Sequence, residues 1–272
     1  MSREPTALGA SEDPRSVALR AVSSTVKTGA MGLIGLANPS RFLAFSHRLL
    51  QVLVPVTLAA FAAGLYLAFF VAPDDYQQGA TVRIMFIHVP AAWLGMMCWA
   101  LMSIAALGTL VWRHPLADVA LKAAAPIGAA FTFICLFAGS MWGRPMWGTY
   151  WVWDARLTSV LIMFLMYLGL IALWRAVDDP SRAGRAAAIL ALVGAVNLPI
   201  IKFSVDWWNT LHQPASVIRL GGPTIHPAIL MPLLVMVVAF TLLFITLHVS
   251  AMRNEILRRR VRTLRLMQAE AA

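Results

Sequence analysis

Charged side chains are scarce in this sequence. Asp, Glu, Lys and Arg make up 12% of the 272 residues, and 60% of the residues are hydrophobic. A soluble domain usually carries about 25% charged residues, so the composition excludes an ordinary soluble domain and indicates a polytopic membrane protein. The net charge of +10 does not by itself indicate nucleic-acid binding, because in a membrane protein the side on which each cation lies matters more than the total.

Cysteine is almost absent, and Cys98 and Cys135 both fall inside apolar segments. Two such thiols argue against a disulfide framework, and burial makes them unreactive. The motif CxxCH does not occur, so the chain does not itself carry covalently attached c-type haem. The Walker A motif is also missing, which indicates that this chain hydrolyses no ATP.

Long apolar runs dominate instead. Six are long enough to cross a bilayer, which takes about 20 helical residues, and in lipid an isolated apolar run must be helical to satisfy its backbone. The runs are Leu49–Val71, Ile84–Trp112, Ala123–Met141, Leu157–Trp174, Ala186–Ile201 and Pro227–Leu247. We predict an all-α polytopic membrane protein with six transmembrane helices and an outward-facing tryptophan-rich loop between helices 3 and 4. Asn197 and Pro199 predict that the fifth helix ends early.

The lysines and arginines predict the orientation. All but five of the 22 lie on the side of the two chain ends, which the positive-inside rule places in the cytoplasm. We therefore divide the chain into a cytoplasmic N-terminal tail (1–45), a six-helix membrane domain (46–250) and a basic cytoplasmic C-terminal tail (251–272). Residues 17–30 of the first tail are a candidate for a helix lying on the membrane surface.

The stretch WGRPMWGTYWVWDARLTS, residues 142–159, combines many aromatic rings with a few charges. Its aromatic residues are Trp142, Trp147, Tyr150, Trp151 and Trp153, and its charged residues are Arg144, Asp154 and Arg156. Tryptophan also gathers at membrane interfaces as an anchoring belt, but a belt needs only one or two rings per helix end. The density favours an aromatic surface, within the loop, for a large, flat, amphipathic ligand.

Two conformations of this loop remain open. A helical loop would put four residues on one face, namely Trp147, Tyr150, Trp151 and Asp154. An extended loop would put Trp151 and Trp153 together. Each large ring can bury about 150–250 Å², so a few rings would cover one face of a porphyrin. Arg144 and Arg156 are candidates to hold its carboxylates by planar bidentate contacts, with lipid phosphate as the alternative partner.

Three histidines fall on the same predicted side as the tryptophan-rich stretch: His88, His212 and His226. Imidazole is a common axial ligand of haem iron. His88 lies about one turn inside the second helix, where the alternative is an imidazole bonded to a neighbouring carbonyl. His212 lies beside Trp207 and Trp208, where the alternative is a solvated loop histidine. His226 precedes Pro227 and is expected to cap the sixth helix.

WGRPMWGTYWVWDARLTS resembles the tryptophan-rich "WWD" signature of the haem-handling family of cytochrome c biogenesis. The segments FIHVPAAW, NLPII and SVDWWNTLHQ, in this order and spacing, are similar to the CcmC branch of that family. The resemblance covers roughly residues 31–260. Tyr150 stands where the signature often has tryptophan, which preserves a ring.

The resemblance implies haem b held at the outer, periplasmic surface of a bacterial inner membrane. It implies that His88 and His212 are the axial ligands of the iron. It also implies partnership with the ABC components CcmA and CcmB, the small protein CcmD and the haem chaperone CcmE, to which the haem is presented for cytochrome c maturation.

Two other functions are compatible with the sequence. A cytochrome c synthase, or haem lyase, resembles the same signature, but such enzymes are typically larger and have added helices and histidines. A permease subunit that moves haem through the bilayer is the other alternative. The six runs carry no Asp, Glu, Lys or Arg in their interiors, which argues against a coupled pathway within this chain. We therefore expect a delivery protein that is not an enzyme.

Overall fold

The computed structural model describes residues 38–214 and 216–271. In this part of the chain, six helical segments are long and apolar enough to cross a membrane, which confirms the predicted number. The segments are Pro39–Val71, Ala80–Leu110, Pro115–Trp147, Ala155–Ala176, Pro180–Trp207 and Pro227–Glu270. The candidate surface helix at 17–30 lies outside the described residues.

Seven α-helices build these segments. They are α1 (Pro39–Tyr66), α2 (Met85–Leu110), α3 (Pro115–Trp147), α4 (Ala155–Ala176), α5 (Pro180–Gly194), α6 (Asn197–Trp207) and α7 (Pro227–Glu270). A π-helical turn, Leu67–Val71, extends α1, and a 3-10 turn, Ala80–Ile84, leads into α2. Helix α1 therefore begins inside the predicted N-terminal tail, and α7 continues to Glu270.

Local sequence explains where most helices begin. Helices α1, α3, α5 and α7 each have proline in the first turn, preceded by a residue whose side chain caps the first free amides. Proline suits this position because its missing N–H has no helical partner there. His226 caps α7 through Nδ1, which lies 3.3 Å from the Ala228 amide, as predicted.

The fifth segment differs from the prediction. It breaks at residues 195–196 between α5 and α6 and then continues as helix to Trp207, whereas the sequence predicted an early end. Pro199 has no N–H to donate to the Ala195 carbonyl, and Leu198 donates to that carbonyl instead, at 3.0 Å. The Asn197 side chain crosses to α4 and donates to the Ser159 carbonyl at 2.8 Å. The break thus turns α6 towards α4.

Two buried aromatic side chains pack together in the core. Trp99 and Tyr167 are fully buried, and their ring centroids lie 4.7 Å apart. Trp99 Nε1 donates to the Ala191 carbonyl at 3.0 Å, and Tyr167 Oη donates to the Gly95 carbonyl at 2.7 Å. These bonds satisfy polar groups that are costly to bury unpaired, and they join α2 to α4 and α5.

Opposite ends of the bundle are held by different contacts. At the end where α1 begins and α7 ends, Glu255 of α7 pairs with Lys122 of α3 at 2.8 Å, and Arg259 pairs with Asp118 at 2.6 Å. At the other end, the Trp142 indole donates to the Gln78 side chain at 3.1 Å. The alternation of segments therefore places residues 142–154 at the end of the bundle opposite the start of α1 and the end of α7.

Candidate functional site

A cavity of about 230 Å³ opens among α2, α3, α4 and α6 at the tryptophan end of the bundle. His88, Arg156 and His212 line it at that end. Deeper in the bundle the lining becomes apolar, with Ala92, Met96, Leu136, Val160 and Met163. The structure therefore brings both predicted axial histidines and one predicted arginine, which are far apart in sequence, to one cavity.

His88 lies in the first turn of α2 and is oriented by α3. Its Nδ1 is 2.9 Å from the Cys135 carbonyl oxygen. A carbonyl can only accept a hydrogen bond, so Nδ1 carries the proton and Nε2 keeps its lone pair. Trp142 packs edge-on against the imidazole at 5.7 Å between centroids. The ring also rests against Gly139, because a Cβ at that position would lie 2.8 Å from His88 Cε1.

His212 lies in the long connection between α6 and α7. Its Nδ1 is 3.2 Å from Asp154 Oδ2 and 3.3 Å from Thr210 Oγ1. The Trp147 ring packs edge-on at 4.9 Å between centroids. Burial lowers the pKa of His212, and although the hydrogen bond to Asp154 opposes this, the pKa stays below its ordinary value. The imidazole is therefore neutral at neutral pH, with Nε2 free to bind a metal.

Asp154 performs two tasks. Its Oδ1 accepts from the Leu157 amide at 2.7 Å and so caps α4, while Oδ2 accepts from the Thr210 hydroxyl and from His212. Burial alone would raise the pKa of Asp154, but these hydrogen bonds outweigh it and hold the pKa below its ordinary value. Asp154 therefore contacts His212 but does not itself line the cavity.

Arg156 lies in the first turn of α4 and reaches α6. Its Nε donates to Ser204 Oγ at 3.0 Å, and Nη2 lies 3.3 Å from the carbonyl oxygens of Ile201 and Lys202. These bonds fix the guanidinium at the cavity wall. The second predicted arginine, Arg144, is exposed and lies 5.6 Å from the centroid of the Tyr150 ring, away from the cavity lining.

The aromatic surface predicted for residues 142–159 is divided in the structure. Only residues 148–154 of the tryptophan-rich stretch are outside helices, because α3 runs to Trp147 and α4 begins at Ala155. Neither of the two predicted loop conformations therefore spans the whole stretch. Trp151 and Trp153 pack against each other at 5.5 Å, and Tyr150 is exposed. Of the aromatic residues, Trp142 and Trp147 are those that contact the cavity histidines.

Several residues of the site were not identified from the sequence. Lys202 and Asp206 of α6 line the cavity, and Thr210, Gly139 and the Cys135 carbonyl orient the two imidazoles. Thr210 had a local signal, since a hydroxyl two residues before His212 can accept from its amide, and it does so at 3.1 Å. The others had none, because a backbone carbonyl and a glycine acquire their roles only by packing.

The residues present fit an iron porphyrin. Two imidazoles offer Nε2 lone pairs, each with Nδ1 held by an oxygen acceptor as is usual for metal-binding histidines. Arg156 and Lys202 supply positive charge for carboxylates. The cavity is smaller than a typical ligand pocket of about 300–1,000 Å³, so part of a macrocycle would stand at the mouth.

Comparison with known proteins gives one consistent result. The sequence model of the CcmC family, described as "Heme exporter protein C", matches residues 32–267. The chain is 74% identical over 239 residues to Heme exporter protein C of Bradyrhizobium diazoefficiens, which covers 88% of this chain and 90% of the relative. It is 49% identical over 222 residues to Heme exporter protein C of Escherichia coli K12, covering 82% and 89%. The protein of that name from Paracoccus denitrificans is 44% identical over 229 residues, covering 84% and 95%.

Proposed function

The chain belongs to the CcmC family, heme exporter protein C, and we propose that it binds haem b at the periplasmic surface of a bacterial inner membrane and presents it to the haem chaperone CcmE. Haem handling for cytochrome c biogenesis by a multi-pass membrane protein follows from the family and from the six spanning helices. The haem type, the side of the membrane and the recipient are the proposal.

One observation carries this proposal. His88 and His212 line the same cavity, and each has Nδ1 hydrogen-bonded to an oxygen acceptor. Both Nε2 lone pairs would then be available to bind one haem iron. A structural histidine needs no such pairing with a second imidazole across a cavity.

The surrounding residues have separate tasks in this proposal. Trp142 and Trp147 hold the two imidazoles in orientation by edge contacts. Arg156 and Lys202 line the cavity and would supply positive charge for the carboxylates of the porphyrin. The apolar inner lining accepts hydrocarbon groups. Tyr150, Trp151, Trp153 and Arg144 lie outside the lining, so we assign them to the mouth, where the chaperone would approach.

The proposed partners are CcmE, the ABC components CcmA and CcmB, and CcmD. Both termini lie in the cytoplasm in this scheme, because 17 of the 22 lysines and arginines of the sequence fall on their predicted side. The chain acts by positioning haem and contains no ATP-binding motif of its own. Energy for any pumping would come from the ATPase partner.

Haem titration of the purified protein in nanodiscs tests the site. We expect a Soret band at one haem per chain, and loss of that band when His88 and His212 are both changed to Ala. His226→Ala is the matched control, because His226 lies at the same end of the bundle, caps α7 and does not line the cavity. A double variant with an unchanged band would refute the assignment.

A second experiment separates delivery from synthesis. Cells with the intact chain but without CcmE should form no holocytochrome c if the chain delivers haem to that chaperone. Holocytochrome formation under these conditions would instead indicate a synthase.

A further inference from the structure

The two imidazoles of the cavity have different hydrogen-bond acceptors. His88 Nδ1 faces the neutral carbonyl of Cys135, whereas His212 Nδ1 faces the carboxylate of Asp154. A charged acceptor makes a stronger hydrogen bond than a neutral one. The two histidines are therefore chemically inequivalent even before any ligand is bound.

We infer that Asp154 is a positioning residue that makes His212 the stronger donor of the axial pair and thereby sets the reduction potential of the bound haem. This inference rests on the proposed function, since it requires the iron to lie between the two rings. It assigns to the aspartate of the tryptophan-rich stretch a role that acts through His212 without touching the haem.

The physical reason is the flow of electron density through the imidazole. A carboxylate that accepts a hydrogen bond from Nδ1–H makes Nε2 more basic. A more basic axial ligand favours ferric over ferrous iron and lowers the reduction potential. The Asp154 side chain is only 8% exposed, so water screens its charge little and the effect on His212 is retained.

Thr210 moderates this effect. Its hydroxyl donates to the same carboxylate oxygen, Oδ2, that accepts from His212. A second donor on one oxygen shares its electron density and weakens the bond to His212. Removal of the hydroxyl and removal of the carboxylate charge should therefore move the potential in opposite directions.

Helix capping alone does not explain the arrangement. Asp179 caps α5 in the same manner, with Oδ1 2.8 Å from the Ser181 amide, and its other oxygen pairs with the exposed Arg182 at 3.4 Å. Only Asp154 combines the cap with a histidine contact among the aspartates that cap helices in the described residues. Asp179 is consequently a matched control for the loss of a capping carboxylate.

Potentiometric titration of the haem-loaded full chain in nanodiscs tests the inference. Asp154→Asn keeps an oxygen for the cap and removes the charge. We expect normal haem stoichiometry and about a tenfold loss in the preference for ferric iron, a rise of about 59 mV for one electron. Asp179→Asn should leave the potential unchanged. The ferric electron paramagnetic resonance spectrum of Asp154→Asn should also report a weaker axial field.

Thr210→Val provides the second arm and should lower the potential. A wild-type potential in Asp154→Asn with an intact Soret band would overturn the inference. So would a rise in Thr210→Val, because that would indicate general disturbance of the loop. If Asp154→Asn takes up no haem, the sign of the Thr210→Val shift decides. Failure of the proposed function has a different signature, namely a Soret band that survives loss of both histidines.

Discussion

Gly139→Ala should displace the His88 imidazole without changing any residue that binds a ligand. A Cβ at residue 139 would lie 2.8 Å from His88 Cε1 and 3.2 Å from Nδ1, whereas ordinary contact begins at 3.4 Å. The ring must therefore move by at least about 0.6 Å. The ring cannot move freely, because its Nδ1 is hydrogen-bonded to the carbonyl of Cys135. Cys135 lies on α3, one turn before Gly139.

The size of the effect follows from the tolerance of metal sites. A functional group must be held within about 0.5 Å of its productive position, and disturbing the residues that orient a metal ligand typically costs 10–100-fold in affinity. We expect haem affinity to fall by about this factor in Gly139→Ala. The overpacking itself should cost about 1–3 kcal/mol of stability, partly offset by the helix propensity of alanine, about 1 kcal/mol.

Haem titration with absorbance detection measures the affinity, and thermal unfolding measures the stability. Gly169→Ala in α4 is the control, because nothing lies within 4 Å of a Cβ placed there, and its haem affinity should equal that of the wild type. The reasoning would be refuted if Gly139→Ala bound haem as tightly as the wild type while His88→Ala lost affinity.

Three further predictions concern pH, the ion pairs and the core. Haem affinity should fall only on acidification below about pH 6.5, the ordinary histidine pKa. Burial lowers the pKa of His212, and protonation of its imidazole at a pH below this lowered pKa removes the lone pair that would bind iron. A spectrophotometric pH titration checks this, and loss of haem already above pH 7 would contradict it. Glu255→Ala should lower the free energy of unfolding by about 3 kcal/mol in a denaturant titration, because the Glu255 side chain is 6% exposed and Lys122 loses its partner. Arg182→Ala, which removes an exposed ion pair with Asp179, should lower it by less than about 1 kcal/mol. Gly128→Ala should destabilise the fold by about 1–3 kcal/mol, since its Cβ would lie 2.3 Å from the Tyr167 ring; a thermal midpoint equal to that of Gly169→Ala would count against the described packing.

The sequence determined the number of membrane crossings and most helix starts. Lipid leaves an isolated apolar run only the helix, so length and composition suffice for the spans. Proline after a capping side chain marks the start of α7 at His226 and Pro227 in a purely local way. The sequence also proposed His88, His212 and Arg156, because polar residues in or beside apolar segments are few, but it proposed the exposed Arg144 equally.

Some local signals had two outcomes that the sequence did not separate. Pro199 removes one backbone donor, which is compatible with the end of a helix or with a break that is bridged. The structure bridges it, because Asn197 finds an acceptor on α4 and Leu198 supplies the missing donor. The tryptophan-rich stretch was likewise expected to be one loop, yet its first six residues complete α3.

Only the tertiary structure decided how the site is assembled. The acceptor of His88 is a backbone carbonyl 47 residues away, and the acceptor of His212 lies 58 residues away at Asp154. Packing of α2 on α3 and of the last connection on the start of α4 creates these pairs. A backbone carbonyl looks the same at every residue of a sequence, so its role as a partner becomes visible only when the helices that carry it are placed side by side.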